Sequence, residues 1–462
     1  MPETAKIPVD KVRQLQRKLY VCAKQSRTRR FHALYDRIYR SDVLWEAWRR
    51  VRSNGGAAGV DAETIQVIEQ RGPGEFLAEI QAALRAGRYR PSPVKRRYIP
   101  KADGKQRPLG IPTVRDRVVQ MAAKLVIEPI YEADFQPCSY GFRPKRSATQ
   151  ALEAIRVAGN QGHNFVVDAD IQGYFDNIQR ETLLELVKER ISDRRALKLI
   201  RQWLEAGVME DGTVRETLAG TPQGGVISPL LANIYLNKLD RIWAARCSQL
   251  GVLVRYADDL VAMCRSASAA REALRRIGRV MSRLGLTLHP VKTRMVDLRR
   301  GKESFVFLGC TIRKRRSIQR NPRWHFMQRW PSPKATKKLR DRVRELTSKR
   351  QSGQEVRRII AELTPVLRGW GNYFRTGNAD REFNKMDYFV VKSLRRWQYR
   401  RGGQRPTKRA PFTGDQLRGM GLHRLMGTVK YPAQATPRRS SLSRVPENGT
   451  HGLKGEIRNG LA

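Results

Sequence analysis

Two adjacent carboxylates interrupt an otherwise apolar segment of the sequence. Residues 252–263 read VLVRYADDLVAM, with Asp258 and Asp259 at the centre. A strand, a tight turn and a second strand would place both acids at the tip of a hairpin, where they project into a cleft while the flanks are buried in a sheet. An exposed turn without chemistry is the alternative, because aspartate is common in turns.

A third acid ends another apolar segment. NFVVDADIQGYFDNI (164–178) predicts a buried strand that stops near Asp170 before a helix begins. If this strand lies beside the hairpin, three carboxylates converge, and such concentrated negative charge is unfavourable unless cations fill it. A pair of Mg²⁺ ions ~4 Å apart would bridge the phosphates of a nucleotide, one activating a primer 3′-hydroxyl and the other stabilising the leaving pyrophosphate.

The charge balance indicates a polyanionic partner. The 462 residues carry 91 Lys and Arg against 43 Asp and Glu, a formal net charge of +48 that would repel itself unless nucleic acid covered it. A basic membrane-surface protein is the other class to consider, but no segment approaches ~20 consecutive apolar residues and the N-terminus has no hydrophobic signal core. We therefore expect a cytoplasmic, nucleoid-associated protein with no membrane partner.

The ligands available for a metal are oxygen atoms. The five cysteines form no CxxC pair, and the six histidines show no HxH or HxxxH spacing, which argues against a disulfide framework and a structural zinc site. Carboxylates suit hard cations such as Mg²⁺.

Turn signals and periodicity predict the elements around these acids. Residues from about 90 to 112 read as a basic β-hairpin, and MEDGTVRETLAG (209–220) is a second hairpin signal. A helix is expected over 267–286 and a strand over 304–312. From about 330 to 402 the sequence is basic and helical, with interspersed aromatic residues that suit contact with a nucleic-acid backbone and bases.

Together, these motifs resemble the reverse transcriptases of bacterial group II introns, the intron-encoded maturases, from about residue 41 to 400. Each motif is weak alone, but their shared order is specific. The matching segments are NGGAAGVD (54–61), YIPKADGKQRPLGIPTVRDRVVQ (98–120), SYGFRP (139–144), DADIQGYFDNI (168–178), TPQGGVISPLLANIYL (221–236), RYADDL (255–260), LHPVKTR (288–294) and FLG (307–309).

The resemblance implies an RNA-directed DNA polymerase that copies intron RNA into cDNA by two-metal nucleotidyl transfer and assists intron splicing during retrohoming. Its partners would be group II intron RNA, an RNA template with a DNA primer, target DNA and deoxynucleoside triphosphates. The implied fold is α+β: a right-hand polymerase, with fingers and an antiparallel palm sheet, followed by an α-helical thumb or maturase domain.

Four parts of the chain are expected on this basis. They are a helical extension with the start of the fingers (1–89), fingers and palm (90–315), the thumb (316–402), and a basic, flexible tail that binds DNA or RNA (403–462). Many family members end in an endonuclease with paired cysteines and histidines. Here no cysteine follows Cys310 and the tail has only His423 and His451, so the chain resembles the endonuclease-lacking group IIC lineage.

The resemblance also implies roles in nucleotide binding. Lys101 and Arg107, on either side of the first hairpin turn, would clamp the triphosphate of the incoming nucleotide. Gln223 would approach the nascent base pair, helped by the two glycines after it. Lys292 would bind or protonate pyrophosphate. Arg143 in SYGFRP would touch the template or a phosphate, with a structural turn as the alternative.

Sugar choice and RNA binding are assigned to further residues. Phe175, five positions after Asp170, would place an apolar ring beneath the incoming sugar and so reject a ribose 2′-hydroxyl. A core phenylalanine is the alternative, and Tyr174 could take either part. Three thumb arginines are expected to neutralise nucleic-acid phosphates: Arg395, Arg396 and Arg400.

Three other functions share some of these features. An RNA-dependent RNA polymerase has a palm and its acids but usually carries a polar residue where Phe175 stands. A domesticated, defence or CRISPR-associated reverse transcriptase would lack the maturase-type thumb. A splicing-only RNA-binding maturase would need none of the three acids.

Overall fold

The computed structural model describes residues 9–100, 106–210, 213–215, 224–316, 325–351, 353–401 and 412–431. Within these ranges the helices are α1 (Val9–Gln25), α2 (Tyr35–Ile38), α3 (Ser41–Asn54), α4 (Ile65–Arg71), α5 (Pro73–Arg85), α6 (Val114–Glu132), α7 (Ala148–Asn160), α8 (Arg180–Lys188), α9 (Arg194–Glu205), α10 (Ser228–Arg246), α11 (Ala267–Arg283), α12 (Pro333–Leu346), α13 (Val356–Phe374), α14 (Asp380–Arg401) and α15 (Gly414–Gly419). Short 3₁₀ turns occur at Tyr174–Asp176, Ser248–Leu250 and Lys349–Gln351. None of the described helices is long and apolar enough to cross a membrane.

The strands are β1 (Val94–Pro100), β2 (Gln106–Ile111), β3 (Phe165–Ala169), β4 (Val208–Glu210), β5 (Thr213–Arg215), β6 (Gly251–Tyr256), β7 (Asp259–Cys264), β8 (Arg294–Asp297), β9 (Phe305–Phe307), β10 (Cys310–Arg316) and β11 (His325–Pro331). They form three sheets, in the orders β2-β1-β4-β5, β6-β7-β3-β8 and β11-β10-β9. Two antiparallel sheets and one mixed sheet, with helices following them, confirm the expected α+β class.

The sheet β6-β7-β3-β8, which we call the palm sheet, is antiparallel throughout. It is buried on both faces because alternate residues of β7 enter different cores. Leu260, Ala262 and Cys264 pack into a core with α6 and α10, whereas Val261 and Met263 pack into a second core with α12–α14. An almost continuous apolar run is what a strand covered on both sides requires.

Both expected hairpins of the fingers are present in one sheet. β1 and β2 pair antiparallel from Lys95 opposite Ile111 to Pro100 opposite Gln106, and β4 runs parallel beside β1. The tip of the first hairpin, 101–105, lies outside the described residues, and so does Lys101.

The palm and the C-terminal helices share a core, which the expected boundary at 315/316 did not anticipate. That boundary falls at the end of β10, but β10 pairs along its whole length with β11, which lies beyond the boundary. Buried residues of α13 and α14, among them Leu363 and Trp397, belong to the same cluster as Val254 of the palm sheet. The thumb is therefore built onto the palm through a continuous apolar core.

Part of the tail is packed, contrary to the expectation of a flexible segment from 403 onward. Leu417 and Leu425 are fully buried against the thumb helices. The Asp387 carboxylate on α14 accepts hydrogen bonds from the backbone N–H groups of Leu425 and Met426, both at 2.9 Å. Burial and these bonds hold the segment 412–431 on the thumb, so the expectation is wrong for it.

Candidate active site

A two-residue turn presents the paired acids. Tyr256 of β6 stands opposite Asp259 of β7, so only Ala257 and Asp258 connect the strands. Ala257 has φ of +56°, the left-handed conformation that tight hairpin turns demand. The structure confirms the expected hairpin tip, with Asp258 partly buried and Asp259 exposed to the cleft.

Asp170 lies beside this turn. β3 is the direct neighbour of β7, with Ala169 opposite Leu260, so the residue after β3 falls next to the residue before Leu260. Asp170 and Asp259 line the same cleft, of about 490 Å³. The convergence expected from the sequence is confirmed for these two residues by the strand order.

The acids of the cleft interact electrostatically. Partial burial, followed by the negative charges of Asp258, Asp170 and Asp168, raises the pKa of Asp259 to about 6. Cations placed among the carboxylates would relieve this repulsion.

A fourth carboxylate, Asp168, was missed from the sequence. Asp168 lies on β3, two residues before Asp170, so the two side chains point to the same side of the sheet. Asp168 also lines the same cleft. Arg294 of β8 contacts it at 3.3 Å. Burial is the main cause that raises its pKa. The DAD spacing in the sequence was the available signal.

Lys292 contacts one of the acids directly. Its ammonium lies 3.3 Å from Asp170 Oδ2, and both side chains are partly exposed. The loop that carries it is tied to the same aspartate, because the backbone N–H of His289 donates to the Asp170 carbonyl at 2.8 Å. The structure therefore places Lys292 at the cleft, and its role in binding or protonating pyrophosphate stays a prediction.

The donor set suits a hard cation, although the described residues hold no ready-made cluster of three metal-ligating side chains. Three carboxylates, those of Asp168, Asp170 and Asp259, line one cleft, and two of them are contacted by the cations Arg294 and Lys292. Carboxylate oxygens are the ligands that Mg²⁺ prefers. A bound ion would replace the lysine contact to Asp170 and offset the repulsion around Asp259.

A fully buried ion pair supports the turn from behind. Arg255 and Asp240 of α10 are both inaccessible to solvent and lie 2.5 Å apart. The guanidinium also donates to the Asn233 side chain, the Ser139 hydroxyl and the Ala257 carbonyl. Burial acts to lower the pKa of Arg255, but the Asp240 charge outweighs it and the pKa is raised. The arginine therefore stays charged and fixes the turn.

The SYGFRP loop packs directly on this turn. A Cβ at Gly141 would come within 2.3 Å of the Ala257 nitrogen, so only glycine allows the approach. Arg143 is buried, with its guanidinium bonded to Glu132 and to the carbonyls of Gln136 and Ser139. The structure thus favours the structural turn for Arg143 over the expected contact with template, because its donors are occupied inside the protein.

The structure separates the two aromatic residues after Asp170. Tyr174 is buried, and its hydroxyl donates to the Ala232 carbonyl at 2.6 Å, which gives it the core role. Phe175 is half-buried, with its ring 5.2 Å from that of Tyr174. Of these two rings, that of Phe175 is therefore the one exposed enough to contact a ligand.

The structure describes only part of the finger residues that are expected to bind the nucleotide. Gln223 lies outside the described residues, like Lys101, and of Arg107 only the backbone is described, in β2 opposite Ile99. The structure does describe the loop that follows Gln223. Gly224 in this loop has φ of +115° and packs against the Gly110 carbonyl, which a Cβ at position 224 would approach to 2.3 Å.

A buried glutamine holds the same loop. Gln120 of α6 accepts a hydrogen bond from the Val226 backbone N–H at 2.8 Å, and its side chain is almost fully buried. Sequence reasoning did not single it out, because the helical pattern of α6 gives no indication of which loop its polar residues meet.

The thumb places basic residues in two settings. Arg395 donates to the Phe412 carbonyl and so fastens the tail, whereas Arg396 is exposed on α14. The side chain of Arg400 lies outside the described residues. Lys334 and Lys338, on the first turns of α12, line the cleft that contains Asp170 and Asp259, and sequence reasoning missed both. Their exposure and spacing leave their charges open to a ligand in the cleft.

Two family models match the chain: reverse transcriptase (RNA-dependent DNA polymerase) over residues 99–312, and group II intron, maturase-specific domain over residues 336–411. Protein YkfC of Escherichia coli (strain K12) is 35% identical over 344 residues, which are 66% of this chain and 89% of YkfC. The group II intron-encoded protein LtrA of Lactococcus lactis subsp. cremoris is 41% identical over 214 residues.

The chain spans most of YkfC but only about a third of LtrA. The match to LtrA covers 46% of this chain and 35% of that protein. Among solved structures, a chain of a partial Cas6-RT-Cas1–Cas2 complex is similar at a TM-score of 0.34 and 25% identity, over 54% of this chain and 42% of that one.

Proposed function

The chain belongs to the group II intron reverse transcriptase and maturase family, and from that premise we propose that its palm cleft synthesises DNA on an intron RNA template. Asp170, Asp258 and Asp259 would hold two Mg²⁺ ions. Bound there, the ions would activate the primer 3′-hydroxyl and stabilise the leaving pyrophosphate. The observation that carries the proposal is the meeting of Asp170 with the Asp258–Asp259 turn at adjacent ends of β3 and β7.

The surrounding residues bind and orient the reactants. Arg255 fixes the carboxylate-bearing turn, so the acids need little reorganisation when substrate arrives. Lys292, at the Asp170 carboxylate, binds phosphate oxygens of the nucleotide or of pyrophosphate as they enter the cleft. Phe175 excludes ribonucleotides by offering an apolar surface to a 2′-hydroxyl.

The fingers supply the remaining contacts to the deoxynucleoside triphosphate. Lys101 and Arg107 clamp its phosphates, and Gln223 contacts the nascent base pair. Two observations support these roles. β1 and β2 form the hairpin that carries both cations, and Gln120 and Gly110 contact the loop that follows Gln223.

The thumb and the packed tail bind RNA. Exposed cations such as Arg396 on α14 suit the backbone of intron RNA during splicing and of the template during synthesis. We further propose that the cycle is retrohoming into target DNA, in the bacterial cytoplasm at the nucleoid, where intron RNA and DNA meet.

Primer extension on an RNA template with Mg²⁺ and deoxynucleotides tests the assignment. Asp170→Ala, Asp258→Ala and Asp259→Ala should each lower the rate about a thousandfold or more, because loss of a metal ligand removes several kcal/mol of transition-state stabilisation. Asp297→Ala on β8 is the matched control, since that carboxylate pairs with Arg299 and is not among the residues lining the cleft. Near-normal synthesis by all three variants would contradict the proposal.

A further inference from the structure

Phe142, in the loop Ser139–Arg143, combines two unfavourable features. Its φ is +56°, a left-handed conformation that costs a bulky side chain free energy and favours Gly or Asn. Half of its surface is also exposed to solvent. Neither feature contributes to folding, so an exposed, strained phenylalanine calls for another explanation.

The loop backbone is held so firmly that the strain persists. Tyr140 N–H donates to the Arg255 carbonyl at 2.8 Å, and Asn233 donates its amide to the Gly141 carbonyl at 2.8 Å. The buried Arg143 guanidinium adds a bond to the Ser139 carbonyl. These contacts fix the conformation of residue 142 whatever its side chain is, so a residue that tolerates a left-handed φ would suit the fold better there.

The exposed ring stands beside the catalytic turn. Its centroid is 6.4 Å from the ring of Tyr256, which is only half-buried and lies opposite Asp259 across the hairpin. Tyr256 alternates with Val252 and Val254, which face the thumb side of the palm sheet. The two rings therefore lie on the side of the sheet where the cleft opens, within a few residues of the acids.

We propose that Phe142 and Tyr256 form an apolar platform for the sugar and base of the primer's 3′-terminal nucleotide. The inference rests on the proposed function, because the acids fix where the primer hydroxyl must be. Primer sequence changes at every step of synthesis, and an aromatic surface holds any base by stacking, whereas a hydrogen-bonding residue would select among them. This requirement accounts for an aromatic side chain at a position where the backbone favours Gly or Asn.

A fluorescent primer terminus tests the platform. An RNA template carries a DNA primer that ends in 2-aminopurine, whose emission reports stacking, and binding is measured without nucleotides. Phe142→Asn removes the ring and relieves the backbone strain, Phe142→Gly is a second variant of that kind, and Phe142→Trp keeps an aromatic surface. Tyr20→Ala, which removes an exposed ring on the N-terminal helix α1, is the control.

The Asn and Gly variants should have melting temperatures no lower than that of the wild type. They should nevertheless bind the duplex about fivefold or more weakly and lose the stacking signal, because that loss of affinity corresponds to the usual free energy of one base–aromatic stack. The Trp and Tyr20→Ala variants should keep both. A folded Asn or Gly variant with unchanged signal and affinity would overturn the proposal, as would a response only from a probe in the template strand. A wild-type chain that stacks the probe but cannot extend the primer would contradict the proposed function alone.

Discussion

Replacement of Arg255 by methionine, alone and together with a change at Asp240, separates the stability of the palm from the geometry of the turn that carries Asp258 and Asp259. The change leaves Asp240 as an unpaired charge with no solvent access, and removing one partner of such a pair costs about 3–5 kcal/mol. Three acceptors lose a donor at the same time: the carbonyl of Ala257, the side-chain oxygen of Asn233 and the hydroxyl of Ser139.

A second substitution should restore part of the stability but none of the activity. In Arg255→Met with Asp240→Leu the buried charge is gone, and apolar side chains of similar volume replace the pair. Three unsatisfied acceptors remain, at about 1 kcal/mol each, so the double variant should lie about 3 kcal/mol below the wild type and above the single variant, which carries the unpaired charge as well. The turn that carries Asp258 still lacks its support, so DNA synthesis should stay low in both.

Urea unfolding followed by circular dichroism gives the free energies of unfolding, and primer extension gives the activity. Arg241→Met is the matched control, because its pair with Glu189 is largely exposed and should be worth less than about 1 kcal/mol. A double variant less stable than Arg255→Met would show that the buried pair is not the dominant loss. Wild-type synthesis by the double variant would show that Arg255 does not position the turn.

Three other changes probe separate parts of the molecule. Gln120→Leu leaves the Val226 N–H without its acceptor, so the KM for nucleotides should rise about tenfold or more in steady-state extension while the fold survives. Phe175→Val should raise ribonucleotide over deoxynucleotide incorporation about tenfold in single-nucleotide assays, and unchanged sugar preference in a folded variant would contradict a gate. Reversing the charge of Arg396 and Arg400 should weaken intron RNA binding and flatten its salt dependence, whereas Asp258→Ala should leave both unchanged in filter binding.

The sequence predicted the palm because its signals there are local. The apolar strands of 164–178 and 252–263 end at acids. In the second segment, a two-residue turn between paired strands places the acids at the tip of the hairpin. The neighbouring position of β3 was an assumption that the strand order confirms. The remaining site residues stay predictions where they fall outside the described residues, as Lys101 and Gln223 do.

The missed features depend on contacts between distant parts of the chain. Nothing near Arg255 in the sequence indicates that its partner is Asp240 on a different element, nor that both are buried. Arg143 was misjudged for the same reason, since an arginine beside apolar residues can face RNA or fill a buried turn, and only its contact with Glu132 decides. The packed tail was missed because basic composition predicts solvation, whereas a few leucines and the Asp387 carboxylate suffice to hold it.

The shared core of palm and thumb determines how the cleft can work. Tyr373 of α13 donates to the Leu308 carbonyl at 2.9 Å, and the Ser332 N–H at the start of α12 donates to the Gly309 carbonyl at 2.9 Å. These bonds join α13 and α12, the helix that carries Lys334, to the turn between β9 and β10, which lines the cleft together with Asp170. Because buried side chains fill the space behind this turn, the distance from thumb cations to palm acids is fixed by packing rather than by a hinge. For the proposed activity, we therefore expect the cations to bind a template–primer duplex and to align it with the acids in one step.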